Sequence, residues 1–158
     1  MVYYFKNKEG IFRAVLDTFF YGEWNVGSVD ASQRYSLTSF FNAFISKMEG
    51  FVAHMRSYHI KNLCEARFNI ERSAAQFIPE FKEQEAKAQK EEIDVWEEVV
   101  RNSVASGEIK PVLDEREIAL LFHNTTMGFM YMRALNSCPG GLEDLRTRYT
   151  SLYSLLKS

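Results

Sequence analysis

The sequence has little cysteine, with two residues in 158, Cys64 and Cys138. Two cysteines are too few for a disulfide framework, and neither lies in a C-x-x-C pair, so a reducing cytoplasm is the default compartment. Long apolar runs are absent as well: no stretch approaches the roughly 18 uninterrupted apolar residues that a membrane span needs. The segment Met1–Gly10 lacks the apolar middle of a signal peptide. We therefore expect a cytoplasmic protein without a membrane partner.

The chain is also poor in turn-forming residues and has no surplus of positive charge. Three prolines and eight glycines argue against an all-β fold rich in tight turns. The 19 basic and 21 acidic side chains leave a net charge of −2, so the chain as a whole cannot displace many counterions from nucleic-acid phosphate. With 46% apolar and 15% aromatic residues, a chain of this length indicates one ordinary globular domain.

Sequence patterns for catalysis or metal binding are missing. The histidines are His54, His59 and His123, and none of them forms an H-x-x-x-H or Glu-x-x-His pair. There is no glycine-rich phosphate loop, no G-x-S-x-G elbow and no zinc-type Cys/His spacing. We read Cys64 as a small core residue. The sequence therefore predicts no enzyme activity, no metal and no cofactor.

What the chain does have is helical periodicity throughout, and we predict an all-α fold of about six helices. The segment Gly22–Gln33 is predicted to be a loop because it is rich in Gly, Ser, Asn and Asp. The predicted helices run from after Asn7 through Phe20, from near Ser36 through Met55, over about Tyr58–Asn69, from Pro79 to about Ser106, from the capping residue Asp114 to before Pro139, and over Leu142–Leu156.

The last two predicted helices have more apolar surface than one core needs. Leu142, Leu145, Tyr149, Leu152 and Leu156 recur at intervals of three and four and form a narrow seam. The preceding helix is apolar on more than one side. We predict that both helices form a helical dimer interface, and the alternative is that they only complete the core of the monomer. The interface residues that we predict are Met127, Met130, Tyr131, Leu145, Tyr149, Leu152 and Leu156.

A binding site for an apolar ligand is predicted from the aromatic and methionine content. Polar residues inside an apolar helix, from His123 to Thr126, need partners if they are buried, and a ligand in a pocket could supply them. The alternative is plain filling of the core. The ligand-binding residues that we predict are Phe44, Met48, Met55, Trp96, Phe122 and Thr126.

The most specific segment lies at the start of the chain. An aromatic cluster, Tyr3 to Phe5, precedes a predicted helix start that is flanked by Lys6 and Lys8. Free backbone N–H groups, the helix dipole and two cations make a site for an anion such as a DNA phosphate. An ordinary capped helix with lysines in solvent explains the same residues.

In this segment the chain resembles the TetR family of bacterial transcriptional repressors. That family has the signature Y-x-[YH]-F-x-[SN]-K-[ED]-x-[LI] at the end of its helix-turn-helix, and residues Tyr4 to Ile11 match it from the second aromatic onward. The run from Gly107 to Asp114 is similar to the family's G-x-[IL]-[RK]-P-x-x-D, which precedes its penultimate helix. Val2 stands where the family usually has another tyrosine.

The resemblance implies an all-α homodimer that joins a DNA-binding head to a body for an apolar or amphipathic effector, with a four-helix bundle between the subunits. It implies that 1–7 is a remnant of the recognition helix and turn and that 8–158 is the effector-binding and dimerisation domain. Tyr4, Lys6 and Lys8 would contact the DNA backbone, and an operator would bind only to an intact chain with about 35–45 further residues. A stand-alone helical dimer without a ligand is the alternative.

Overall fold

The computed structural model of this chain describes residues 8–18, 24–135 and 141–157, and within these ranges the fold consists of six α-helices and no strand. The predicted all-α class and the number of helices are therefore confirmed. The helices are α1 (Lys8–Val15), α2 (Leu37–Arg56), α3 (Leu63–Phe77), α4 (Phe81–Ala105), α5 (Glu115–Ala134) and α6 (Leu142–Leu156).

The third helix begins and ends later than predicted. The sequence indicated Tyr58–Asn69, whereas α3 spans Leu63–Phe77. The chain turns after α2, and His59 in this turn has a φ of 64°. A residue with such a positive φ cannot be part of a regular α-helix, so the helix does not continue through His59. Asn62 then caps α3, because its side-chain oxygen accepts a hydrogen bond from the Glu65 N–H at 3.1 Å. The local capping residue, rather than apolar periodicity, sets the start of this helix.

The segment that precedes α2 contributes to the core. The sequence predicts a loop for this segment, and its described part consists of two short 3-10 turns, Val26–Ser28 and Ala31–Gln33, with irregular chain between them. Trp24, Val26 and Val29 are nevertheless buried within the main core. No helical or strand periodicity marks these three residues as buried, because irregular chain has no regular repeat. Residues Phe19 and Phe20, predicted for the first helix, lie outside the described ranges.

The main core lies between α2, α4, α5 and α6, and Trp96 is at its centre. Its ring packs edge-on against Phe40 at a centroid distance of 4.8 Å and stacks on Phe122 at 5.2 Å. Tyr149 of α6 completes the cluster, with its ring 5.5 Å from that of Trp96. All four side chains are fully buried. Leu145, Tyr149 and Leu156 of the apolar seam are therefore buried in the chain's own core.

A smaller core joins α1 to the far end of α3. Leu16 packs with Ala74, Ile78 and Phe81. Phe12 of α1 also stacks on Phe77 of α3, with 5.7 Å between ring centroids. The last turn of α3 and the helix α1 are therefore in direct side-chain contact.

The segment Gly107–Lys110, which we name the Glu108 corner, joins three helix ends. The Glu108 carboxylate accepts hydrogen bonds from the N–H groups of Leu37, at 2.9 Å, and Thr38, at 3.2 Å, at the start of α2. The Lys110 N–H donates to the Leu156 carbonyl at the end of α6 at 2.8 Å. Gly107, which follows α4, has a φ of +78°, which favours glycine. The family-like run at 107–114 thus has a structural role.

Replacing Glu108 with glutamine should lower the free energy of unfolding by about 1–2 kcal/mol, since charged hydrogen bonds to a helix start are lost at a half-buried position. Burial acts to raise the pKa of the Glu108 carboxyl, but the hydrogen bonds from Leu37 and Thr38 outweigh it and lower the pKa. The carboxylate therefore stabilises the fold above pH 4.5, and this contribution is lost as the pH falls below that value.

Urea denaturation of both proteins at pH 7 and at pH 4 measures this effect. The exposed Glu117, changed to glutamine in the same way, is the control and should leave stability unchanged within about 0.5 kcal/mol. Equal stability of the Glu108→Gln variant and the parent at pH 7 would show that Glu108 does not hold the corner together.

Candidate functional site

The six predicted ligand-binding residues lie in a well-packed interior. All of them are buried, and Trp96 and Phe122 stack on each other in the main core. The Thr126 hydroxyl donates to or accepts from the Tyr149 hydroxyl and also reaches the Phe122 carbonyl, at 3.0 Å. Protein groups thus satisfy the buried polar atoms of Thr126 without a ligand. Of the six, Met48 lines the cleft that we describe next; for Phe44, Met55 and the others, a ligand contact stays a prediction.

That cleft has a volume of about 290 Å³ and lies where α2 and α5 end and α3 and α6 begin. Its floor is apolar and its edge is charged, and we name it the basic-rimmed cleft. The lining residues are Trp24, Met48, Glu49, Val52, Ala53, Arg56, Lys61, Asn62, Leu63, Cys64, Phe129, Arg133, Gly141, Leu142 and Glu143.

Asn62 fixes the shape of this cleft. Its side-chain oxygen caps α3, and its amide nitrogen donates to the Arg133 carbonyl at the end of α5, at 2.9 Å. One side chain therefore joins the start of α3 to the end of α5. The turn at Ser57–Lys61 separates α2 from α3 and leaves the space between them open.

The charges at the cleft edge are unequal. Three cations line it, Arg56, Lys61 and Arg133, together with two acids, Glu49 and Glu143. Both acids are paired with Arg146, at 3.3 and 3.2 Å. Arg56 and Lys61 form no ion pair within the ranges that the structure describes. The edge of the cleft therefore has an uncompensated positive charge.

A buried polar cluster lies between α3, α4 and α5, next to the main core. Arg67 of α3 donates to Glu71 at 2.6 Å, and Nδ1 of His123 on α5 lies 3.6 Å from the Glu92 carboxyl on α4. Burial raises the pKa of Glu92 to about 7, against the opposing charge of Arg67. Burial, with Arg67, lowers the pKa of His123. Both shifts favour the neutral forms of the two groups, which disfavours an ion pair at this contact.

The predicted dimer residues divide into three groups. Leu145, Tyr149 and Leu156 are buried in their own protomer, as is Met130, and so contribute little surface to a partner. Met127 and Tyr131 face the crevice between α3 and α5, where the Tyr131 ring lies 6.1 Å from Phe68. Leu152 lies on the outer side, in a groove between α5 and α6.

This outer groove, which we name the α5–α6 groove, is open to solvent over about 640 Å³. Leu121, Met132 and Leu155 are 42%, 43% and 80% exposed on the same side of the protomer. Among the described residues, and apart from the adjoining backbone of α5, no atom lies within 4 Å of the position that a Cβ at Gly128 would occupy. The groove is lined by Thr125, Gly128, Phe129, Met132, Thr147, Arg148, Ser151, Leu152 and Leu155.

Of the predicted DNA-contacting residues, Tyr4 and Lys6 lie outside the described ranges. Lys8, the first residue of α1, is described, and its ammonium lies 4.2 Å from the centroid of the Phe77 ring. This cation–π contact holds the side chain against α3.

Sequence reasoning missed most of the cleft. Trp24, the neighbouring pair Arg56 and Lys61, and Arg133 are separated by tens of residues and belong to segments that meet only in the fold. No local pattern joins them. Apolar lining residues such as Met48, Cys64 and Leu142 had a sequence signal for burial, but Met48 alone was predicted to bind a ligand.

Over the described ranges, no group of three or more His, Cys, Asp or Glu side chains is placed to hold a metal ion. None of the helices in the same ranges combines the length and apolar character needed to cross a membrane. Comparison of the chain with protein-family models, with curated proteins and with solved structures gives no significant match.

Proposed function

We propose that residues 8–158 form the ligand-binding and dimerisation body of a TetR-type transcriptional regulator that acts as a homodimer. Three features support this proposal: the family-like run from Tyr4 to Ile11, the all-α order of six helices, and the run at 107–114 placed before the penultimate helix. The α5–α6 groove is the observation that carries it, because it leaves a large apolar surface on the two helices that the family uses for pairing.

A second copy of the chain would cover this surface. Leu121, Thr125, Gly128 and Met132 follow one another at intervals of four, three and four along α5, so they share one helix face. The open space at Gly128 permits close approach of a partner helix. Two copies related by a two-fold axis would place α5 and α6 of each in a four-helix bundle.

The contacts of α3 suggest how a ligand would influence DNA binding. Its first turn lines the basic-rimmed cleft, and its last turn packs on α1 through Phe77 and Phe12. The resemblance places the DNA-reading helices ahead of α1. A ligand that binds one arrangement of α3 better than another would shift the population of dimers with the DNA heads at a given separation.

A pair of charges on the exposed side of α5 and α6, one beside the α5–α6 groove and one in it, should dissociate the dimer. Leu121→Glu with Leu155→Glu places carboxylates at the centre of the proposed interface, where their desolvation opposes association. Both positions are exposed in the protomer, so the variant should fold. Sedimentation velocity should give a dimer for the parent protein and a monomer for the variant.

Ile11→Glu is the matched control, because Ile11 is 48% exposed on α1, away from the groove. We expect this variant to remain dimeric. A monomeric parent protein, or a dimer that survives both glutamates, would refute the proposed interface. Charges at Leu145 are unsuitable for this test, since that side chain is fully buried and its replacement would unfold the protomer.

The dense interior supports a second candidate, a helical dimeric interaction protein that binds no ligand. Trp96 and Phe122 fill space that the ligand prediction had assigned to a pocket. A thermal-shift screen of apolar and amphipathic compounds distinguishes the two functions, because a ligand that binds the native state raises the melting temperature by mass action. A dimer with no stabilising compound would favour this second candidate.

A further inference from the structure

We propose that the basic-rimmed cleft binds a single-chain anionic amphiphile, a carboxylate with a medium-length apolar tail, with its tail inside the cleft and its carboxylate at the edge near Arg56 and Lys61. This inference rests on the proposed function, since it names the class of effector. It also moves the ligand site away from Trp96 and Phe122 toward the ends of α2 and α5.

The floor of the cleft suits an apolar tail. Trp24, Met48 and Phe129 are nearly fully buried and present their remaining surface to the cleft. Leu63 and Leu142 extend this apolar lining from α3 and α6. A tail that enters removes its own surface and that of the floor from water, at roughly 25 cal/mol per Å² of apolar area.

The size of the cleft limits the tail. Small-molecule sites commonly occupy about 300–1,000 Å³, and this cleft, at about 290 Å³, lies just below the lower end of that range. One medium-length chain fits such a volume, whereas a two-tailed lipid does not. A free carboxylate is therefore favoured over a membrane lipid.

The charge at the edge selects the head group. Glu49 and Glu143 are engaged by Arg146, while Arg56 and Lys61 have no acidic partner within the described ranges. A carboxylate between these two cations would gain attraction without losing its contact with water. An ammonium head at the same place would be repelled.

Three probes with the same tail test the proposal: decanoate, decanol and decylammonium. Calorimetric titration of the parent protein should give decanoate the highest affinity and decylammonium the lowest. Arg56→Gln with Lys61→Gln should weaken decanoate about tenfold, as expected for the loss of two exposed charge contacts. Decanol should bind the parent and this double variant equally.

Arg72→Gln with Lys82→Gln is the charge-matched control, because both side chains are exposed and neither lines the cleft. This variant should bind decanoate like the parent. Equal affinity of the parent for decanoate and decylammonium would overturn the proposal, as would undiminished decanoate binding after the Arg56 and Lys61 substitutions.

A second measurement locates the tail. Decanoate brominated at its tail end should quench tryptophan fluorescence in the parent, because Trp24 lines the cleft, and Trp24→Phe should remove the quenching. Quenching that persists in Trp24→Phe would place the tail elsewhere and overturn the proposal. If decanoate fails to bind while neutral apolar compounds raise the melting temperature, the inference about the anionic ligand is wrong and the proposed function is retained. If no compound binds and the protein is monomeric, both the inference and the proposed function are wrong.

Discussion

Replacing Trp96 with alanine should lower the free energy of unfolding by about 3–5 kcal/mol, the largest loss that we expect from any single change in this chain. Trp96 is fully buried and its ring contacts Phe40, Phe122 and Tyr149, so truncation removes contacts with three helices at once. These rigid neighbours cannot collapse into the space. Urea denaturation followed by circular dichroism measures the loss.

Two companion variants sharpen this test. Trp96→Phe keeps most of the ring and removes the indole N–H, which is buried without a hydrogen-bond partner, so it should cost much less than alanine. Tyr58→Ala removes a ring that is 63% exposed and should change stability by less than about 0.5 kcal/mol. A loss at Trp96→Ala no greater than that at Tyr58→Ala would show that Trp96 is not at the centre of the core.

Glu92→Gln should make the protein more stable at alkaline pH and change its response to pH. The pKa of Glu92 is raised from 4.5 to about 7 by burial, so the folded protein binds a proton that the unfolded chain releases. Between pH 4.5 and 7 the stability conferred by this proton falls as the pH rises. Above pH 7 the buried carboxylate costs about 3 kcal/mol, which glutamine avoids.

The neighbours of Glu92 define the rest of the profile. Arg67 and Glu71 face it from α3, Glu85 from its own helix, His123 from α5 and the uncharged Tyr149 from α6. The pKa of His123 is lowered, so its contribution has the opposite sign: stability increases as the pH rises toward 6.5. In the Glu92→Gln variant the contribution of His123 should remain without that of Glu92, so the stability of the variant should rise as the pH approaches 6.5.

Denaturation midpoints at a series of pH values from 5 to 8 measure the difference between the parent and Glu92→Gln. Glu91→Gln, on the exposed side of the same helix, is the control and should follow the parent curve. Parallel curves for the parent and Glu92→Gln across this range would mean that Glu92 titrates as an ordinary surface carboxylate.

The fold could largely be predicted from the sequence because its information is local. Asp114 caps α5 as expected, through a hydrogen bond from the Arg116 N–H at 2.9 Å, and Leu142–Leu156 has the predicted bounds. Apolar periodicity identified the buried face of α2. It could not show where α3 begins, since Asn62 decides this through a cap and a contact with a residue 71 positions away.

The candidate site could not be predicted in the same way. An apolar seam on a helix indicates that its residues are buried, but not which element covers them. Leu145, Tyr149 and Leu156 are covered by the chain's own core. The exposed groove of α5 and α6 contains smaller and polar residues, such as Gly128 and Ser151, that no apolar pattern marks. The basic-rimmed cleft depends on charges from separate segments, and only the tertiary structure brings them together.

The position of the Glu108 corner has a mechanical consequence. Two long helices have one end at it, the start of α2 and the end of α6, while their other ends line the basic-rimmed cleft. The same two helices are also joined beside the cleft, where Arg146 of α6 pairs with Glu49 of α2 at 3.3 Å. We therefore expect α2 and α6 to respond to a bound molecule as one rigid pair rather than as two helices that move apart.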